Sequence, residues 1–244
     1  SLTGIMDNPL MTTASPELEK TLEKLRKLSV TTNAKWADRL GIPASTAITC
    51  VKPSGTVSQL VDSSSGIHAR HSDYYIRTVR GDNKDPLTQF MKDQGVPSEP
   101  DVMKPDATTV FSFPVKSPDN AIVTSDLSAV EQLQIWLAYQ RAWCEHKPSI
   151  TVNVKKDEWF TVGAFVYEHF DEMSGVSFLP YNEHTYQQAP YQEVGKSVYN
   201  NLLSLMPKAI DWSKLSVYEE EDNTAGSQTL ACSGDVCEIV DIGA

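Results

Sequence analysis

The amino-acid sequence predicts an α/β fold, and three observations carry that prediction. Short runs rich in β-branched and aromatic residues alternate with longer stretches whose apolar residues recur at helical spacing. Gly and Pro punctuate the boundaries between them. Of the 244 residues, 40% are hydrophobic and five are Trp, enough for a sizeable core. Strands that alternate with helices favour mainly parallel pairing.

Residues 1–13 read as a strand end and loop. Ser15-Pro16 is a helix start, with Ser as N-cap and Pro at the first helical position. Leu18, Leu22, Leu25, Trp36 and Leu40 follow at helical spacing and predict a core-facing stripe. Gly41 and Pro43 end that helix. Ala47–Val51 is apolar and β-prone. It leads into Lys52-Pro53-Ser54-Gly55-Thr56-Val57-Ser58, which reads as strand, tight loop and helix start. A helix start of this kind suits a phosphate, because its first N–H groups are unpaired and carry partial positive charge. The same Ser and Thr residues also suit plain N-capping.

Residues 68–80 gather Arg70, Arg77, Arg80, His68, His71, Tyr74 and Tyr75 in an otherwise acidic chain, and Tyr74–Val79 alternates as a strand. This cluster is either a surface for an anionic or heteroaromatic ligand or a solvated strand face. Residues 84–96 predict a short helix ending at Gly95. Thr108–Val115 alternates as a strand. Ser125 or Asp126 caps a helix reaching about His146, with Val130, Leu133, Trp136, Leu137 and Trp143 as its apolar side. A strand at 149–154, a helix at 157–170, a buried-type strand at 176–180 and a helix at 192–205 follow. From Ser213 the periodicity is lost, and Glu219–Gly226 reads as a solvated linker.

A net charge of −11 excludes a general nucleic-acid binder. No apolar run approaches the roughly 20 residues of a membrane-spanning helix. Four Cys do not make a disulfide scaffold in a chain this long, so a cytoplasmic setting is expected. His146, His169 and His184 have no metal spacing, and no metal site is expected. Gly195-Lys196-Ser197 resembles the end of a phosphate-binding P-loop, but Pro190 occupies the position where that loop needs Gly. Near the end, Cys232 and Cys237 are spaced to close a small loop in an unpacked tail. Thiol–disulfide exchange, one half of a metal site, or an incidental pair all remain open for them.

Several motifs together carry a family resemblance. They are Ser1–Ile5, Lys52–Ser58, Asp157-Glu158-Trp159, Ser174–Tyr181, Gln188-Ala189-Pro190-Tyr191 and the pair Cys232/Cys237. In this order they resemble the C-terminal third of the adenosylcobalamin-dependent (class II) ribonucleoside-triphosphate reductases. The resemblance implies the later strands and helices of a ten-stranded α/β barrel over 1–212, followed by a linker and flexible redox tail over 213–244. It implies that Pro53, Ser54, Gly55, Thr56, Val57 and Ser58 bind substrate phosphates. Cobalamin contacts would fall near 66–127 and 186–225, with His68, Arg70 and Tyr74 as the candidate residues. Cys232 and Cys237 would form a dithiol shuttle recharged by thioredoxin or a similar reductant.

The family's radical cysteine lies in Asn-Pro-Cys-Gly-Glu, and the nearest string here is Asn8-Pro9-Leu10. An N-terminal part of the reductase is therefore an expected partner, without which the chain should not reduce nucleotides. The opening Ser1-Leu2-Thr3 reads like mid-protein, as in a fragment, a split-gene product or a segment left by protein splicing. The alternatives are a nucleotide-phosphate-binding redox module and an inactive fragment.

Overall fold

The computed structural model describes residues 1–52, 54–55, 57–181 and 186–219. The chain divides into two units, each assembled from separated segments: Ser1–Asp73 with Ser117–His184, and Tyr74–Lys116 with Thr185–Ala244.

In the first unit, helix α1 spans Pro16–Leu40. The Ser15 hydroxyl accepts from the Leu18 N–H at 3.1 Å, and Gly41 closes the helix at φ 66°. Capping of this kind satisfies backbone groups that the helix itself cannot. The short α2, Val57–Leu60, follows the loop at Ser54. Helix α4, Ala129–Ala142, starts at a capping box in which Ser128 and Glu131 exchange backbone and side-chain bonds. The predicted start at Ser125 or Asp126 is a separate 3-10 turn, Thr124–Asp126. Strand β4, Thr151–Val154, pairs in parallel with β5, Ser177–Pro180, and helix α5, Trp159–Glu168, lies between them in sequence. The core gathers Leu18 and Leu22 of α1, Leu133, Trp136 and Tyr139 of α4, and Val152 and Val154 of β4.

Two expectations fail in this unit. The stripe on α1 is buried only at its start: Trp36 is 49% exposed and Leu40 65%. Packing against α4 runs out before the helix does. The segment 47–51 also forms no strand beyond a bridge from Val51 to Leu2. Its backbone is taken instead by side chains and by residues 145–149. The Glu145 carboxylate accepts from the Ile48 and Thr49 N–H groups at 2.8 and 3.0 Å. The Thr49 carbonyl accepts from the Glu145 N–H at 2.8 Å.

The second unit holds a four-stranded sheet in the order β2-β3-β1-β6. Its strands are β1 Tyr74–Asp82, β2 Ser98–Pro100, β3 Thr108–Lys116 and β6 Tyr191–Glu193, and all three pairings are antiparallel. The expectation of mainly parallel strands is thus overturned for the larger sheet. Periodicity reports that a segment is a strand but not which way its neighbour runs. Strands β2 and β6 have three residues each, too few to show an alternation. Helix α3 spans Pro86–Asp93, and α6 spans Lys196–Leu205. A Cβ at Gly81 would run into the Thr88 hydroxyl, so the residue is glycine for want of room. Phe90 of α3 is fully buried, with the rings of Trp212 and Tyr218 each at 5.5 Å. Residues 212–217 therefore form a 3-10 turn packed on α3.

The chain is mixed α/β. Parallel pairing among the described residues is limited to β4–β5 and two isolated bridges.

Candidate functional site

The loop between Val51 and α2 is held by a strip of chain from the start of the sequence. The Leu2 N–H donates to the Cys50 carbonyl at 3.0 Å, and the Lys52 N–H donates to the Ser1 hydroxyl at 3.1 Å. The Gly4 N–H donates to the Ser64 carbonyl at 2.9 Å. Gly4 has φ 72°, and a Cβ there would stand 3.3 Å from the Ser63 Cβ. Both the backbone angle and the space call for glycine. The Thr3 hydroxyl sits at the centre of this strip. It donates to the Ser64 carbonyl at 3.1 Å, accepts from the Gly66 N–H at 3.0 Å and lies 3.3 Å from the Ser54 hydroxyl.

Within the loop, the Ser54 N–H donates to the Ser65 hydroxyl at 2.9 Å. Ser58 is fully buried, and its hydroxyl donates to the Ser54 carbonyl. Ser58 thus ties the turn together from beneath, while Gly55 and Val57 are exposed. Nothing among the described residues lies within 4 Å of where a Cβ on Gly55 would stand. Pro53 and Thr56 lie outside the described residues.

Of the three residues expected to contact a cofactor, His68 and Arg70 belong to the first unit and Tyr74 to the second. His68 Nδ1 lies 3.0 Å from the Ser65 carbonyl, and its Nε2 accepts from the Thr151 N–H at 3.0 Å. The backbone donor at Nε2 leaves the ring proton on Nδ1, in the neutral form. Burial pushes the pKa of His68 down, and the Ser65 bond opposes this only in part. One face of the ring lines a small cavity of about 50 Å³ with Thr124, Gln132, Thr151 and Asn153. Arg70 is 4% exposed and is gripped by two carboxylates. Its Nε and Nη2 donate to Asp7 at 3.0 and 2.9 Å, and its Nη1 and Nη2 reach the Asp62 side chain and carbonyl at 3.0 and 2.7 Å. Its guanidinium is therefore committed inside the unit.

In the second unit, the Tyr74 ring stands 5.1 Å from that of Tyr199, and the Arg77 guanidinium lies 4.3 Å over Tyr191. The segment before β6 is clamped polar group by polar group. Thr78 donates to the Ala189 carbonyl at 2.9 Å, and Arg77 to the Pro190 carbonyl at 3.2 Å. Buried Gln188 donates to the Glu99 carboxylate and the Pro100 carbonyl, both at 2.8 Å, and accepts from the Val102 N–H at 2.9 Å. Arg80 pairs with Asp101 at 2.8 Å.

Cys232 and Cys237 lie outside the described residues. Cys50 and Cys144 are free thiols. Burial pushes the Cys144 thiol up to about 12, so it is protonated and unreactive at neutral pH. No group of three or more His, Cys, Asp or Glu able to hold a metal occurs among the described residues. No helix among them is long and apolar enough to cross a membrane. Thr3, Asp7 and Asp62 were not singled out in the sequence. Thr3 and Asp7 act across 51 to 63 positions, and Asp62 meets Arg70 only because the chain reverses between them, neither of which spacing along the chain reveals.

No family model matches the chain. It is 31% identical over 188 residues to the adenosylcobalamin-dependent ribonucleoside-triphosphate reductase of Lactobacillus gasseri, covering 75% of this chain and 25% of that protein. It is 28% identical over 225 residues to the reductase of the same name from Euglena gracilis, covering 91% of this chain and 30% of that one. The fold matches the crystal structure of a B-12 dependent (class II) ribonucleotide reductase with a TM-score of 0.72 and 27% identity. That match covers 84% of this chain and 29% of the other. The chain thus spans about a quarter to a third of the length of these relatives.

Proposed function

By sequence and fold this chain is a relative of one portion of the adenosylcobalamin-dependent ribonucleoside-triphosphate reductases, and we propose that it serves as such a portion, supplying a substrate-phosphate loop and a dithiol tail to thiyl-radical reduction of ribonucleoside triphosphates. The observation that carries the reading is that sequence and fold both match the same reductases. We take 1–212 as the catalytic portion and 213–244 as linker and tail, the linker's first residues, to Tyr218, docking on α3. Strands β4 and β5 are neighbouring strands of a ten-stranded barrel. An isolated parallel pair supports this, because parallel sheets are buried on both faces and two strands do not make a self-sufficient sheet.

The loop from Pro53 to Ser58 takes the triphosphate through backbone N–H groups, with Ser54 and Thr56 as hydroxyl donors. An open approach at Gly55 and exposed Lys52 beside the loop support this role. Ser58 holds the turn from beneath.

Tyr74 packs on Tyr199 at one face of β1 and Arg77 on Tyr191 at the other; of these, the Tyr74 and Tyr199 rings suit a corrin in kind, as flat apolar surface. Tyr74 is the contact we carry forward, since the polar atoms of His68 and Arg70 are committed within their own unit. Adenosylcobalamin held against Tyr74 would supply the radical for the reaction. The Cys232 and Cys237 thiols pass two electrons and two protons to an oxidised cysteine pair in the rest of the reductase. The disulfide they then form is reduced by thioredoxin or a similar dithiol.

Mixing tests the reading. The chain is combined with the complementary N-terminal part of a relative, adenosylcobalamin, a ribonucleoside triphosphate and a small dithiol. Deoxynucleotide should form in the mixture and not with the chain alone. Failure in the mixture, or turnover by the chain alone, overturns the proposal. Cys232→Ser should abolish thioredoxin-driven turnover in the mixture and spare turnover driven by the small dithiol.

A further inference from the structure

Resting on the phosphate-loop reading, we propose that Asp7, Arg70 and Asp62 form a positioning clamp that sets the geometry of the loop at Ser54. None of the three touches the nucleotide.

The argument begins with what holds residues 62–66. Asp62 has φ 47°, a left-handed conformation that sharply reverses the chain after α2. Its carbonyl and carboxylate both accept from Arg70, at 2.7 and 3.0 Å. Two residues on, the Ser64 N–H donates to Asp7 Oδ2 at 2.7 Å. That carboxylate is itself held by Arg70 through two parallel bonds, a fork geometry with fixed orientation as well as strength. Arg70 in turn is anchored through its own backbone. Its N–H donates to the Ile122 carbonyl at 2.9 Å, and its carbonyl accepts from the Thr124 N–H and hydroxyl at 2.8 and 3.0 Å. The guanidinium is therefore a fixed post between two acidic residues 55 positions apart.

The clamp reaches the phosphate loop in one further step. Ser65, next to the clamped Ser64, accepts the Ser54 N–H on its hydroxyl. Thr3, four residues before Asp7, bonds the Ser64 carbonyl and lies against the Ser54 hydroxyl. A shift at Asp7 or Asp62 therefore moves the atoms that orient Ser54. A buried Arg with two acidic partners contributes no net positive charge to the site, so its place there is geometric rather than electrostatic.

Charge and position predict opposite effects at Asp62. Its side chain is 73% exposed, and Asn adopts the left-handed conformation readily, so Asp62→Asn keeps the fold and removes one negative charge near the loop. Without a clamp, that change strengthens binding of an anion. With the clamp it weakens binding. Tripolyphosphate titrated into the full chain should bind about three- to tenfold more weakly in Asp62→Asn, and more weakly still in Asp7→Asn. Unchanged or tighter binding by Asp62→Asn overturns the clamp.

Amide exchange separates the clamp from the reading it rests on. The Ser54 and Ser64 amides should exchange roughly tenfold faster in Asp62→Asn, while those of Leu133 and Val152 keep their wild-type rates. Unchanged exchange at Ser54 and Ser64, or loss of protection throughout, overturns the clamp. Failure of the wild-type chain to bind tripolyphosphate counts against the phosphate reading. The exchange rates then decide the clamp by themselves.

Discussion

The two units solve the same problem, the satisfaction of buried backbone, by different means. In the second unit the nine-residue register between β1 and β3 spreads that work over a long ladder. In the first unit the segments around 1–7, 48–52 and 62–70 have almost no ladder; scattered backbone bonds there are joined by single side chains, Thr3, Asp7, Glu145, Thr49 and Thr124. A ladder is redundant, because each bond is one of many. A side-chain bracket is not, because its loss strands a buried partner. The site proposed for phosphate sits in the bracketed unit, where a few residues set the position of a loop.

Four measurements test this contrast, from the largest effect to the smallest. Trp136 is fully buried in the first unit and donates to the Pro148 carbonyl at 2.9 Å. Trp136→Ala should cost about 4 kcal/mol in urea denaturation, through the cavity left and the stranded carbonyl. Loss of protection at β4 amides with the β1–β3 ladder intact would show that the units unfold separately, and loss at both would break the contrast. In the second unit Gln188 is a bracket comparable to those of the first. Gln188→Ala removes three bonds and should cost about 2 kcal/mol, with faster exchange at the Val102 amide. An effect below about 0.5 kcal/mol would mean that the ladder covers for it.

pH separates the units further, because all five His residues lie outside the segments of the second. Burial lowers the pKa of His68, so the native state binds this proton less readily than the unfolded chain does. Stability should then be intact above about pH 6.5 and fall below it, with a slope of up to about 1.4 kcal/mol per pH unit. Denaturation at pH 7.5 and 5.5 reads this, and His68→Gln should flatten it. An equal slope in the variant would assign the effect elsewhere. The smallest effect is at the start of α1. Ser15→Ala removes one cap and should cost about 1 kcal/mol in the same denaturation assay.

Much of the fold was legible residue by residue. Ser15-Pro16 and Gly41 delimit α1, the alternations at 74–79 and 108–115 became strands, and of the strand expected at 149–154 residues 151–154 form one. The shortest strands were not legible, nor was the direction of pairing in the larger sheet. Of the site, the loop and its Gly55 could be read in the chain. The residues that hold the loop could not, because Asp7 and Ser64 are 57 positions apart.

The sequence by itself determined where α1 begins and ends, that 74–79 and 108–115 are extended, and which family motifs the chain carries, because caps, periods and motifs act over a few residues. Only the tertiary structure decided that the predicted stripe on α1 is exposed at Trp36 and Leu40, that the larger sheet is antiparallel, and that Arg70 faces inward to two carboxylates. Each of these depends on what lies across the fold from a residue, and that is settled by packing and by the need to pair buried charge, whose partners come from distant parts of the chain.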